Sequence, residues 1–187
     1  GLLTEKIGGP SVGPYQPAGL WDDIVERGQE YQQSTGEDLY RRSLYTFWKR
    51  TRPAPAMITF DSSTRETHIV APTRTNTPLQ ALNLMNDVTY TEAARALAQR
   101  VMQQGLNVDD NLTTMYRIAT AREPQARVHS VLAGAFEEHL QEYRSNRASA
   151  LQLVSEGESE RDETLDIAEL AAYQMVASLI LNLDGTI

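Results

Sequence analysis

Two stretches hold residue types that could do chemistry. Between positions 61 and 76 stand Asp61, Arg65, Glu66, Arg74 and Asn76, groups of both signs on a short segment that folds back on itself. Such a set can bind a polar ligand, or it can be a buried hydrogen-bond network that fixes a loop against a core. The second stretch, YRRSLYTFWKRTR at residues 40 to 52, interleaves Arg41, Arg42, Lys49, Arg50 and Arg52 with Tyr40, Tyr45 and Trp48. There the cations can hold an anion while the aromatic faces stack a sugar or a base. The preferred account places those aromatics in the core, with the arginines paired to the chain's many carboxylates and their stems covering apolar surface.

Other mechanisms find no footing. The histidines are His68, His129 and His139. Ten helical residues turn through ~1000°, so the last two would lie about 80° and about three turns apart, too far to share a metal. HExxH, HxH and G-x-S-x-G are missing, and GGPSVG lacks the Lys-Ser/Thr pair that a phosphate-cradling loop needs. The paired carboxylates, Asp22-Asp23, Asp109-Asp110, Glu137-Glu138 and the run from Glu156 to Glu163, read as solvated helix starts and faces. Neighbours on a helix point ~100° apart and cannot flank one scissile bond. With no cysteine, disulfides, thiolate nucleophiles and thiolate-held zinc are excluded. No metal set and no cofactor is implied.

The elements that must position these residues follow from composition and periodicity. A chain of 187 residues, 41% hydrophobic and 22% charged, has the make-up of a globular protein. Length favours one domain over 1–187, with an irregular arm at 1–36 and a helical core at 37–187. Its net charge of −8 and pI near 4.9 argue against nucleic acid and anionic lipid as partners. The most apolar tract, AELAAYQMVASLILNL, is too short and too polar to span a bilayer and reads as a core helix.

Dense Gly and Pro in GGPSVGPYQPAG forbid regular helix in the arm, apart from a short helix near LWDDIVERG. The run EDLYRRSLYTFWKRT predicts a helix from Glu37 that stops at RPAP, and MITF with THIV suggests a small hairpin or two extended segments. At Thr77-Pro78-Leu79-Gln80 the T-x-x-Q pattern, with Pro at the first helical position, is a capping box. Thr89 and Glu92 offer a second, for a helix ending at Gly105. Further helices are predicted from about Asp110, Pro124 and Asn146, with Gly157 ending the last. After the acidic loop EGESERDET a closing helix aligns Leu165, Ala168, Ala172, Met175, Val176, Leu179 and Leu183 on one side. The fold class is therefore all-α or nearly so, a multi-helix bundle wrapped by a Gly/Pro-rich arm.

The blocks KIGGPSVGPYQPAGLW, YRRSLYTFWKRTRPAPAMITFDSSTRE, TRTNTPLQALNLMND and ELAAYQMVASLILNLD, in that order, resemble the planctomycete-specific C-terminal domain of unknown function called PSD-one. The resemblance implies a C-terminal part of a large exported protein, periplasmic or at the cell surface. It also implies upstream domains, cytochrome-type ones among them, in bacteria rich in polysaccharide-degrading and sulfatase genes. No catalytic set comes with it. Where that family shows a Cys followed by Val-Arg-Arg, this chain has His68-Ile69-Val70-Ala71-Pro72, which removes part of any site built there.

Three expectations stand together. The first is a non-catalytic accessory domain packing against upstream domains of its own chain. The second is a carbohydrate-binding or carbohydrate-active module for sulfated polysaccharide, in which Tyr15, Trp21 or Trp48 stacks a ring and Arg65, Glu66 or Arg74 binds its substituents. The third is a docking partner of an upstream cytochrome-type domain. The opening GLLTEKIGG, with neither initiator Met nor signal-like run, reads as a fragment of a longer chain.

Overall fold

The computed structural model describes residues 1–20, 31–49, 51–63, 66, 68–71 and 74–186. Among these, the α-helices are α1 (Pro55–Thr59), α2 (Pro78–Asn86), α3 (Val88–Met102), α4 (Val108–Thr120), α5 (Ala126–Ser145), α6 (Arg147–Val154) and α7 (Ile167–Leu181). The described residues contain no strand, only isolated bridges. The contacts divide the chain into two units, one over 2–83 and one over 84–187 with Gly1.

The larger unit is built around α7. The closing helix is buried over most of its circumference, from Ala168 through Leu170, Tyr173 and Val176 to Ile180, and not only on the single face that the spacing predicts, where Leu179 is exposed. Helices α3, α5 and α6 all lie along it, and α4 reaches it as well. That arrangement suits a helix rich in Ala and Leu, because small side chains let several neighbours approach one axis. Fully buried residues such as Leu170 and Ile180 each contribute about 1.5–3 kcal/mol by leaving water. The Phe136 and Tyr173 rings meet at 4.4 Å between centroids, and Asn111 Nδ2 donates to the Tyr173 hydroxyl at 3.2 Å.

Side chains one step outside α3, α4, α6 and α7 satisfy the first amides of those helices. Asp87 accepts from Thr89 N, Asn107 from Asp110 N, Asn146 from Ser149 N, and Asp166 from both Ala168 N and Glu169 N. Asp87 therefore caps α3 in place of the Thr89–Glu92 box, and Glu92 is freed for another use. The helix expected from Asp110 starts at Val108, and the one expected from Pro124 starts at Ala126.

The smaller unit is mostly irregular. The helix expected from Glu37 is not formed: 3-10 turns at Gly36–Tyr40 and Ser43–Tyr45 flank Arg41 and Arg42, which are extended. The arm takes the backbone groups a helix would have used, since Thr4 N donates to Tyr40 O, Val12 N to Tyr45 O, and Phe47 N to Val12 O. The bridges Thr4↔Arg41 and Val12↔Thr46 are parallel. With Tyr, Ser, Phe and Trp crowding the run, intrinsic helix preference is too weak to resist that competition. Leu44 and Phe47 are exposed.

The hairpin is not formed either. Pro55 opens α1, and MITF falls within that helix and its cap. The helix then ends in a Schellman turn, with Asp61 N donating to Ile58 O at 3.2 Å and Ser62 N to Met57 O at 2.9 Å. Asp61 stands at φ 59°, in the left-handed position more often given to Gly, which short polar side chains tolerate. Residues 68–70 of THIV carry no strand, and the short helix expected near LWDDIVERG lies outside the described residues.

Candidate functional site

The capping box at the start of α2 is present as the sequence predicts. Thr77 N donates to Gln80 Oε1 at 2.9 Å, and Gln80 N donates to Thr77 Oγ1 at 3.3 Å. Gln80 is 2% exposed, and its amide does more than close the box. Its Nε2 donates to Thr59 O at 2.9 Å and Thr75 Oγ1 at 3.1 Å, joining the end of α1 to the start of α2. Asp61 Oδ2 completes the knot by accepting from Thr75 N and Thr75 Oγ1, both at 2.7 Å. The Thr75 hydroxyl and amide, followed by Gln80, hold the Asp61 carboxyl below its ordinary 3.8.

Of the polar set read from the sequence, only Asp61 therefore enters this network by the bonds described. Glu66, Arg74 and Asn76 lie exposed beside it, and Arg65 lies outside the described residues. A Thr-and-Gln network of this kind fixes two helix ends, and its lone carboxylate is committed to Thr75.

The basic island is divided. Arg41 is buried at 7% exposure, donating from Nη1 to Pro10 O at 3.2 Å and from Nη2 to Lys6 O at 3.0 Å, with Gly8 O also within reach. Its guanidinium carbon lies 3.8 Å from the Tyr45 ring centroid, and that of Arg42 lies at 5.8 Å. Gly8 N donates to the Tyr45 oxygen at 3.0 Å; this bond first, and then Arg42 and Arg41, hold the phenol below its ordinary 10.0. Arg41, one of the candidates for an anion-binding surface, clasps the arm through its main-chain carbonyls. Arg42 is exposed, Trp48 and Lys49 are half-buried, and Arg50 lies outside the described residues. Arg52, expected to pair with carboxylates, donates to Leu20 O at 3.2 Å. Of the ring candidates, Tyr15 is half-buried and Trp21 is outside the described residues.

The most buried charges were read differently from the sequence. Glu92 and Arg95 on α3 are 0% and 2% exposed and lie 3.4 Å apart. Arg95 donates to Val154 O at 2.8 Å, a terminal carbonyl of α6, and to Ser159 O and Oγ, both at 2.6 Å. Glu92 Oε1 accepts from Ser159 N at 2.5 Å. One and two turns further along α3, Gln99 Oε1 accepts from Asp162 N at 3.3 Å, and Gln103 Nε2 donates to Asp162 Oδ2 at 2.8 Å.

Positions 92, 95, 99 and 103 form one stripe of α3, and that stripe holds the acidic loop that the sequence presents as a solvated run. Gly157 makes the approach possible. Its φ is +88°, and a Cβ there would overlap the Glu92 carboxylate. A groove of about 550 Å³ runs beside the stripe, lined by Arg95, Ser155, Ser159, Glu160, Arg161 and Glu163. Charged and amide residues set among Ala94, Leu97, Ala98 and Val101 are the signal in the sequence that could have revealed it.

No group of three or more His, Asp or Glu side chains suited to a metal converges among the described residues. None of the described helices is long and apolar enough to cross a membrane.

These features define a helical protein whose buried polar groups bind its own main chain. The model of the PSD1 family, proteins of unknown function (DUF1553), matches residues 1–135, and the chain belongs to that family. The match takes in the arm, the capping box and α3, and it ends within α5, short of the closing helix that contributed to the resemblance. No curated protein and no solved structure matches the chain.

Proposed function

We propose that this chain is an accessory helical domain that docks on other domains of a larger exported protein and carries out no reaction itself. The observation that carries the reading is the apolar surface of the 2–83 unit. Ile7, Leu44, Ile58, Val70, Leu79 and Leu82 are exposed there, while only Val12, Leu39 and Ala54 among its described hydrophobic residues are buried. Exposed apolar side chains in that proportion mark a surface made to be covered. Charge supports the same reading. Residues 2–83 hold nine cationic and nine acidic residues, whereas the remainder holds eight and sixteen, so the whole net charge of −8 falls outside this unit. Helix α2, PLQALNLMN, has no charged residue. A neutral, apolar face suits a protein surface better than a polyanion.

The test compares deuterium uptake of the chain alone and joined to the neighbouring domains of its parent. Uptake around Ile7, Ile58 and α2 falls on joining, and the double variant Leu79→Glu, Leu82→Glu abolishes the drop without loss of helical circular dichroism. Unchanged uptake would sink the proposal. A glycan array including sulfated polysaccharides separates it from the sugar-binding reading, for which specific binding by the folded chain is required.

A further inference from the structure

We propose that residues 155–164 form a strap that opens and closes as one unit on the intact helical bundle, driven open by the crowding of its own carboxylates. Its sequence, SEGESERDET, contains no large apolar side chain. Everything that holds it to α3 is polar: Glu92 and Arg95 on Ser159, Gln99 and Gln103 on Asp162. The chain on either side is anchored differently, by fully buried Val154 before it and partly buried Leu165 after it. The strap contributes no large apolar side chain to the core, so it can lift with the helices still packed.

Two forces favour opening. Within the strap Glu156, Glu158, Glu160, Asp162 and Glu163 face a single cation, Arg161, which lies 3.4 Å from Glu163. Their mutual repulsion is relieved when the segment extends into solvent, and added salt weakens it by shortening the Debye length from ~30 Å at 0.01 M toward ~3 Å at 1 M. Opening also returns water to the Glu92–Arg95 pair, whose desolvation opposes closure. Closure is held by hydrogen bonds from one helix stripe, and it depends on Gly157, whose missing side chain lets the strap settle on the Glu92 carboxylate. Opening bares that pair and takes apart the groove, which strap residues line on every side but that of Arg95, so the strap acts as a salt-sensitive cover over the charged stripe of α3.

Residue-resolved hydrogen exchange on the whole chain tests this. The amides of Ser159 and Asp162 exchange with a common opening constant, insensitive to low urea and at least about tenfold larger than that of α7 amides. Raising NaCl from 10 mM to 500 mM reduces that constant severalfold relative to an unbonded strap amide, by roughly the loss of range in screening. The variant Gln99→Ala, Gln103→Ala raises it severalfold and leaves α7 unchanged. The proposal is overturned if Ser159 and Asp162 exchange only with α7, if they differ from each other by more than about tenfold, or if salt leaves their opening unchanged.

Discussion

Replacing Arg95 by Met removes the cation from a site where both partners have left water. Taking away one member of a buried ion pair costs about 3–5 kcal/mol while the other charge stays buried; lifting the strap returns water to Glu92, so here that figure is an upper limit. The Val154 carbonyl also loses its donor at 2.8 Å inside the bundle, which adds about 1–3 kcal/mol. Ser159 adds little, since the strap can lift and let water bind its oxygens. The total, up to about 8 kcal/mol, is a large share of the ~5–15 kcal/mol that stabilises an ordinary domain. Urea denaturation followed by circular dichroism should therefore show a clearly lower midpoint for Arg95→Met. The double variant Glu92→Met, Arg95→Met should be more stable than Arg95→Met alone, since no unpaired charge remains. A loss below about 1 kcal/mol for the single variant, or simple additivity of the two single substitutions, would refute the buried-pair reasoning.

Four other outcomes are expected. Gln80→Ala removes the bonds to Thr77 N and Thr75 Oγ1 and the one to Thr59 O that joins α1 to α2, and should cost about 1–3 kcal/mol, seen as lost hydrogen-exchange protection at Thr77 and Thr75 while α7 is unaffected. Gly157→Ala should cost at least about 2 kcal/mol from left-handed strain plus overlap with Glu92. Gly105→Ala, at φ +67° with open space around it, should cost only about 1–2 kcal/mol, so equal losses in urea melts would count against the close approach. Arg41→Lys should loosen the arm, because an ammonium cannot span the carbonyls of Lys6 and Pro10 while stacking on Tyr45, and faster proteolysis within 1–20 checks it.

The last outcome concerns acid. Asp61, Asp162 and Asp166 all titrate below their ordinary 3.8. Thr75 is the main cause for Asp61, and Thr164 and Gln103 for Asp162. At Asp166 burial pushes upward but is outweighed by the Glu169 and Ala168 amides and by Arg147. Their stabilisation is complete above pH ~5 and is lost as pH falls through the depressed folded values, so urea midpoints should drop between about pH 5 and pH 2. Asp166→Asn should shallow that slope.

What could be read from the sequence was whatever depends on near neighbours. Thr77, Pro78 and Gln80 lie within a single turn, so the capping box could be identified without knowing what packs on it. The polar residues near position 76 do lock helix ends where Asp61, Thr75, Thr77 and Gln80 are concerned. The expected helix from Glu37 failed because its competitor, the arm around Thr4 and Val12, is more than thirty residues away. MITF was misread for a related reason: four apolar and β-branched residues fit a strand or a helix, and the deciding features were Pro55 before them and the left-handed Asp61 after them. The stripe on α3 was hidden by distance, with Glu92 and Ser159 separated by 67 positions. Thr89 and Glu92 satisfied the capping pattern, but Asp87 took that role and left Glu92 to face the strap.

The buried long side chains answer a common need. Arg41 donates to carbonyls of Lys6 and Pro10, Gln80 to that of Thr59, Arg95 to those of Val154 and Ser159, and Gln174 to those of Thr91 and Leu153. Irregular chain lying against a core leaves acceptors without partners, and each Pro in the arm removes a donor that could have met one. Guanidinium is suited to that deficit because it offers five donors and no acceptor. Several carbonyl dipoles can solvate its charge where a single carboxylate would have to be buried with it, and Arg41 is held in this way. At Arg95 the carbonyls and Glu92 act together, which ties the end of α6, the strap and α3 through one side chain. The described donors of Arg41 end on main-chain carbonyls, and those of Arg95 on carbonyls, the Ser159 hydroxyl and Glu92, so both buried charges hold the chain's shape.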